Sequence, residues 1–170
     1  MDSGNIGFVL LCAAFVFVMT PGLAMFYGGL VRKKNVVNTM MTSIFIIGIG
    51  IVMWVLFGYS LSFAPSGNAF IGDFRWLGLE GVSLTEGYTD DASIPNMVFS
   101  AFQMMFAVIT PALITGAVAG RMKFKSIFVF TIFWSLIVYY PLAHMVWGQG
   151  GLLGADGIGA LDFAGGDVVH

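Results

Sequence analysis

Residues 37 to 63 read VNTMMTSIFIIGIGIVMWVLFGYSLSF, with no charged side chain along the whole stretch. Wound as a helix at about 1.5 Å per residue, the stretch is about 40 Å long. Crossing the hydrocarbon of a bilayer takes only about 20 such residues. Three more stretches share the property: nothing charged lies between Asp2 and Arg32, between Asp91 and Arg121, or between Lys125 and Asp156. The windows that best fit a bilayer are about 7 to 30, 37 to 63, 97 to 119 and 126 to 147, so the sequence predicts an all-α integral membrane protein. The 170 residues are 58% hydrophobic and 9% charged, where a soluble domain carries about 25% charged residues. That balance excludes a soluble enzyme and a disordered tail. A net charge of -2 excludes a nucleic-acid binder, and a single cysteine, Cys12, excludes a disulfide-stapled domain.

The N-terminal stretch is not a signal peptide: it opens with an acid, Asp2, and its apolar run is long, with no small-residue cleavage site after a short core. Six of the seven basic residues sit in two short connections, Arg32, Lys33, Lys34 and Arg121, Lys123, Lys125. The acidic residues fall at Asp2, between Asp73 and Asp91, and at Asp156, Asp162 and Asp167. The positive-inside rule then predicts an external N-terminus and two cytoplasmic basic turns. The long connection from 64 to 96 carries Pro65, Gly67, Gly72, Gly78, Gly81, Gly87 and Pro95, which predicts irregular backbone with at most short helices. A fifth helix is predicted to start near 161, but the nine residues from Asp162 to His170 rise only about 14 Å. A helix that stopped there would leave carbonyls unsatisfied in hydrocarbon, so the natural chain is expected to continue.

Polar side chains at membrane depth are costly, and function is to be sought among them. His170 lies eight residues beyond Asp162, close to the midplane, and reads either as part of a polar path or as interhelical glue. Asp162 reads as a helix N-cap for the N–H groups of residues 164 and 165, or as an anionic charge at the floor of an external vestibule. Phe99, Phe102, Phe106 and Thr110 share one helical face beside Gln103, an amide inside a span. Tyr140, His144 and Trp147 share another, where Trp147 reads as an interfacial anchor or, with Phe106, as an aromatic cage for a small cation. His144 reads as structural. Gly22, Gly28, Gly29, Gly48, Gly50 and the pair Gly116 and Gly120 predict close helix approach. Pro21 and Pro111 predict bends, with Thr20 and Thr110 at hand to satisfy the freed backbone. No phosphate loop, H-x-x-x-H pair, G-x-S-x-G elbow or C-x-x-C is present, so neither a cofactor, a metal nor enzyme chemistry is expected.

Five strings in order carry a resemblance. They are Pro21-Gly22 with Phe26-Tyr-Gly-Gly-Leu-Val-Arg-Lys-Lys-Asn35, then Trp54 to Phe63, Phe102-Gln-Met-Met-Phe106, Ala143-His-Met-Val-Trp147-Gly, and Asp162-Phe-Ala-Gly-Gly-x-Val-Val-His170. With these the chain resembles the ammonium transporter family (Amt/Mep, with the more distant Rh proteins). The resemblance implies the first half of an eleven-helix inverted-repeat bundle, with four complete membrane helices and the start of a fifth. It also implies a homotrimer in the plasma membrane carrying ammonium or ammonia, with methylammonium as a possible substrate, and a regulator of the PII family at the cytoplasmic face. By the same resemblance Phe106 is a gate, and Trp147 belongs to an external ammonium site. His170 is one of two pore histidines, Asp162 heads the fifth helix, and Phe102 and Gln103 line the entry. Two positions depart from the family pattern: Asp167, usually uncharged, and Gln149, which interrupts a glycine-rich run. Asp167 adds weight to an ammonium sensor, or a non-conducting half-transporter, as the alternative to transport.

Overall fold

The computed structural model describes residues 1–65, 68–155 and 157–170. Gly67 and Asp156, named above among the loop glycines and the acids, lie outside the described residues. Four long helices account for most of the chain: α1 Ser3–Leu30, α2 Lys33–Phe63, α3 Asn96–Val118 and α4 Phe124–Trp147. All four are long and apolar enough to cross a membrane. The connection from 64 to 95 is irregular apart from a short 3₁₀ turn at Leu77–Leu79. Where a fifth helix was expected near 161, the described residues form successive turns. The Val169 N–H reaches the Gly165 carbonyl at 2.8 Å, but Gly165 sits at φ +77°. That left-handed backbone interrupts any regular helix starting at Asp162.

The chain forms two compact units, residues 1–51 with 82–127 and residues 52–81 with 128–170. In the first, α1 packs along α3. The face that α1 buries is made of small residues, Ala13, Thr20, Ala24 and Gly28, while Phe8, Leu11, Phe15, Val18 and Phe26 are exposed. In lipid no hydrophobic drive separates these faces, so close packing and interhelical hydrogen bonds hold the pair. The Tyr27 hydroxyl donates to the Leu113 carbonyl at 2.9 Å, and Ser43 and Thr115 share a hydroxyl bond of 3.2 Å. Bonds of this kind contribute about 0.6 kcal/mol each in membrane proteins. Gly116 makes room for Tyr27, since a Cβ there would lie 2.5 Å from the phenol ring. Gly28 gives way to Met40 and Gly50 to Val108 in the same manner, whereas Gly22, Gly29 and Gly48 face open space. Gly120 serves a different purpose, taking φ +71° in the turn after α3. Cys12 is half-exposed rather than packed away.

The prolines behave unlike the expectation. The Thr110 hydroxyl donates to the Phe106 carbonyl at 2.6 Å, one residue before the Ala107 carbonyl that Pro111 deprives of a partner. Thr20 is buried beside Pro21, and its hydroxyl has no hydrogen-bond partner among the described residues.

The second unit is built on two π turns, Trp54–Gly58 in α2 and Ser135–Tyr139 in α4. In each, an N–H reaches back five residues, from Tyr59 to Trp54 and from Tyr140 to Ser135. Pro141 follows the second turn directly and has no N–H to offer residue 137, which accounts for the break in the α ladder there. Gly58 lets the Tyr140 ring approach, and Trp54 packs at 5.7 to 6.1 Å from Tyr59, Phe63 and Tyr140. Tyr59 in turn stacks on Trp76 at 5.4 Å.

Candidate functional site

The predicted residues fall in both units: Phe102, Gln103 and Phe106 in the first, Trp147, Asp162 and His170 in the second. On α3, Phe102 and Phe106 meet edge to face with centroids 5.1 Å apart, the geometry that ring quadrupoles favour. The Thr110 hydroxyl on the Phe106 carbonyl fixes the backbone at that ring. Gln103 lies between the two rings in sequence, and its amide oxygen is buried with no hydrogen-bond partner among the described residues. A buried acceptor left unpaired costs about 1–3 kcal/mol, so its place in an apolar span calls for a donor. Phe99, predicted on the same face, stacks instead on Tyr88 at 4.9 Å with the rings nearly parallel.

Trp147 is the last residue of α4 and is half-buried. Its indole N–H donates to Asp162 at 3.0 Å. The expected cap from Asp162 to residues 164 and 165 is not formed, because one carboxylate oxygen takes the indole. The other lies 3.5 Å from the Asp167 N–H, a marginal distance. Asp162 therefore orients an aromatic ring rather than starting a helix. A Cβ on Gly165 would lie 4.0 Å from the Trp147 ring, so the 165–169 turn runs beside the indole and only a small residue fits there. His170 and Asp167 are exposed, while Val168 and Val169 between them are buried.

The ends of α2 and α4 that bear on Trp147 are capped by a network spread across distant residues. The Ala64 N–H donates to the Ser60 carbonyl at 3.0 Å and the Gly72 N–H to the Leu61 carbonyl at 2.7 Å. The next carbonyl, Ser62, lies 3.1 Å from Nδ1 of His144, whose Nε2 lies 3.0 Å from the Asn68 carbonyl. The last carbonyls of α2 are thus satisfied one by one. The Ser60 hydroxyl donates to the Asp73 carbonyl at 2.7 Å and accepts the Trp76 N–H at 3.0 Å. On α4 the Met145 carbonyl accepts from Leu153 and Gly154, both at 2.9 Å. Sequence reasoning set His144 aside as structural and passed over Ser60 altogether. Their partners are backbone groups far along the chain, which leave no pattern in side-chain spacing. Farther out, the Arg75 guanidinium bonds Asp73 at 2.7 Å and holds its carboxyl below the usual carboxylate range.

Residues 7–170 match the family model described as Ammonium Transporter Family. An ammonium transporter of Bacillus subtilis (strain 168) is 52% identical over 170 residues, covering 100% of this chain and 41% of that protein. Among solved structures, Saccharomyces cerevisiae Mep2 matches with a TM-score of 0.88 at 36% identity, covering 100% of this chain and 37% of that one. A structure titled Sensor Amt Protein matches with a TM-score of 0.81 at 28% identity, over 98% of this chain and 40% of that one. The chain thus spans about two fifths of the length of the relatives it matches.

Proposed function

Because the chain belongs to the ammonium transporter family, we propose that this membrane protein carries ammonium or ammonia across the bilayer, with Trp147 as the recruiting residue. The observation that carries the reading is the match along the whole chain at 52% identity to a protein named for ammonium transport. At the level of side chains, the bond from Trp147 to Asp162 supports it, because it fixes the indole edge and leaves the ring face to meet a cation. An aromatic face attracts a small cation by about 0.5 to 2 kcal/mol, more where water is excluded. Asp162 adds negative charge beside that ring, which favours ammonium over any anion.

Phe106, stacked on Phe102, acts as a gate, and the unpaired Gln103 oxygen offers an acceptor to a donor passing α3. Beyond the gate an apolar lumen penalises a full charge, so ammonium gives up a proton and neutral ammonia continues; potassium, with no proton to lose, is refused. His170 supplies a donor and acceptor along that path. In the cell we place the N-terminus outside, the basic turns in the cytoplasm, three copies in the plasma membrane and a regulator of the PII family at the cytoplasmic face. Methylammonium fits the same recruiting chemistry.

The test is uptake of labelled methylammonium by cells lacking their own ammonium carriers and expressing the full-length protein. Saturable uptake competed by ammonium is the expected result. Absence of uptake, with the protein present in the membrane, overturns the transport reading. The likeness to a sensor favours a second reading, in which ammonium binds and is reported rather than moved. Calorimetric ammonium binding without uptake would select it.

A further inference from the structure

We infer that His144 is a positioning residue for the cation site, a clamp that sets Trp147 by tying the outer turn of α4 to the end of α2 and to the 64–95 loop. The inference rests on the transport reading above and names a residue that reading does not use. His144 has no exposed surface. Both of its ring nitrogens face backbone carbonyls, Ser62 at 3.1 Å and Asn68 at 3.0 Å, at sequence separations of 82 and 76 residues. A histidine that merely filled space would need neither contact, and a buried imidazole with apolar neighbours would leave its polar edge unsatisfied. One side chain here satisfies a helix-terminal carbonyl of α2, which has no further N–H of its own helix to take, and a loop carbonyl six residues later.

The clamp acts on Trp147 through the backbone. His144 lies three residues before Trp147, and its own carbonyl accepts the Gly148 N–H at 2.9 Å, closing the helix around the tryptophan. Gly148 carries no side chain for the same reason: a Cβ there would lie 2.6 Å from Nδ1 of His144. The indole is held at its far edge by Asp162 and at its root by the His144 turn. Loss of the clamp frees the root, and the ring face no longer waits in the orientation a cation needs. Preorganisation of this kind is felt in binding more than in the rate of a later step.

The experiment compares His144→Leu, His144→Gln and Trp147→Leu in the full-length protein, measuring methylammonium uptake against concentration and the amount of protein in the membrane. His144→Leu is expected to raise the half-saturation concentration about tenfold, the size of losing one well-made bond to a buried carbonyl, with the maximal rate per molecule little changed. His144→Gln, whose amide can still donate, is expected to recover most of that loss. An unchanged half-saturation in His144→Leu overturns the inference, and so does a fall in maximal rate alone. Where the leucine variant fails to accumulate, the glutamine variant decides through the same ratio: wild-type half-saturation supports the clamp, and tenfold weakening despite the retained donor overturns it. Trp147→Leu separates the two readings. If it weakens half-saturation while His144→Leu does not, only the clamp fails; if it changes nothing, the recruiting role of Trp147 itself is wrong.

Discussion

Trp147 does two things with one side chain, spending its N–H on Asp162 and keeping its ring face. The division makes a residue-level prediction. Asp162→Ala releases the indole and should raise the half-saturation concentration for uptake roughly tenfold, whereas Asp162→Asn, which keeps an acceptor oxygen, should cost less. Uptake curves at fixed membrane abundance check the order of the two variants. His170→Ala should lower the ammonium-evoked current in oocytes or planar bilayers; an unchanged current and selectivity removes His170 from the mechanism. Phe102, Phe106, Trp147, Asp162 and His170 were all legible in the sequence, because each stands in a short string with its own signature. His144 sat in such a string too, yet its partners are carbonyls of Ser62 and Asn68, which any residue type could present. Hydrogen bonds to backbone over such separations cannot be read from residue identity.

At the scale of elements, helix spans were legible because charge is excluded from hydrocarbon, and the gaps between charged residues mark that exclusion directly. The two π turns were not. Pro141 was a visible cause for one, while Trp54–Gly58 has no proline, and only the packing of Tyr140 over Gly58 accompanies it. The α1–α3 pair is a place to test packing. Gly116→Val drives a side chain into Tyr27 and should cost about 1–3 kcal/mol, with loss of the Tyr27 to Leu113 bond, while Gly22→Val at an open position should cost little. Thermal unfolding of the two variants in detergent makes the comparison. The 64–95 loop gives a pH prediction. Arg75 depresses the Asp73 carboxyl, so the pair's contribution is present above the usual aspartate value and is lost as pH falls through the lower value in the folded loop. Arg75→Gln should return Asp73 to the ordinary range, measured by carboxylate titration in labelled protein. The effect should be small and fade with salt, since both groups are largely in water.

For the whole molecule, the exposed side chains of α1 are those expected against lipid tails, and the two basic turns fix how the chain should lie. Reporter enzymes inserted near residue 122 should be active only in the cytoplasm, and those inserted near residue 85 only outside; the reverse pattern overturns the orientation. Topology of this kind was readable from the placement of lysine and arginine alone, whereas the division into two units was not, because α2 and α4 contribute to both. The π turns carry a consequence for anyone mapping this molecule position by position. Each inserts one residue beyond α-helical spacing, which rotates everything after it by about 100° relative to a straight count. Cysteine-accessibility scans along α2 or α4 should therefore show two phases rather than one, changing near 54–58 and 135–139. Deleting a single residue inside either turn would bring the phases together and aim the outer half of the helix, with its aromatic cargo, at the wrong neighbours.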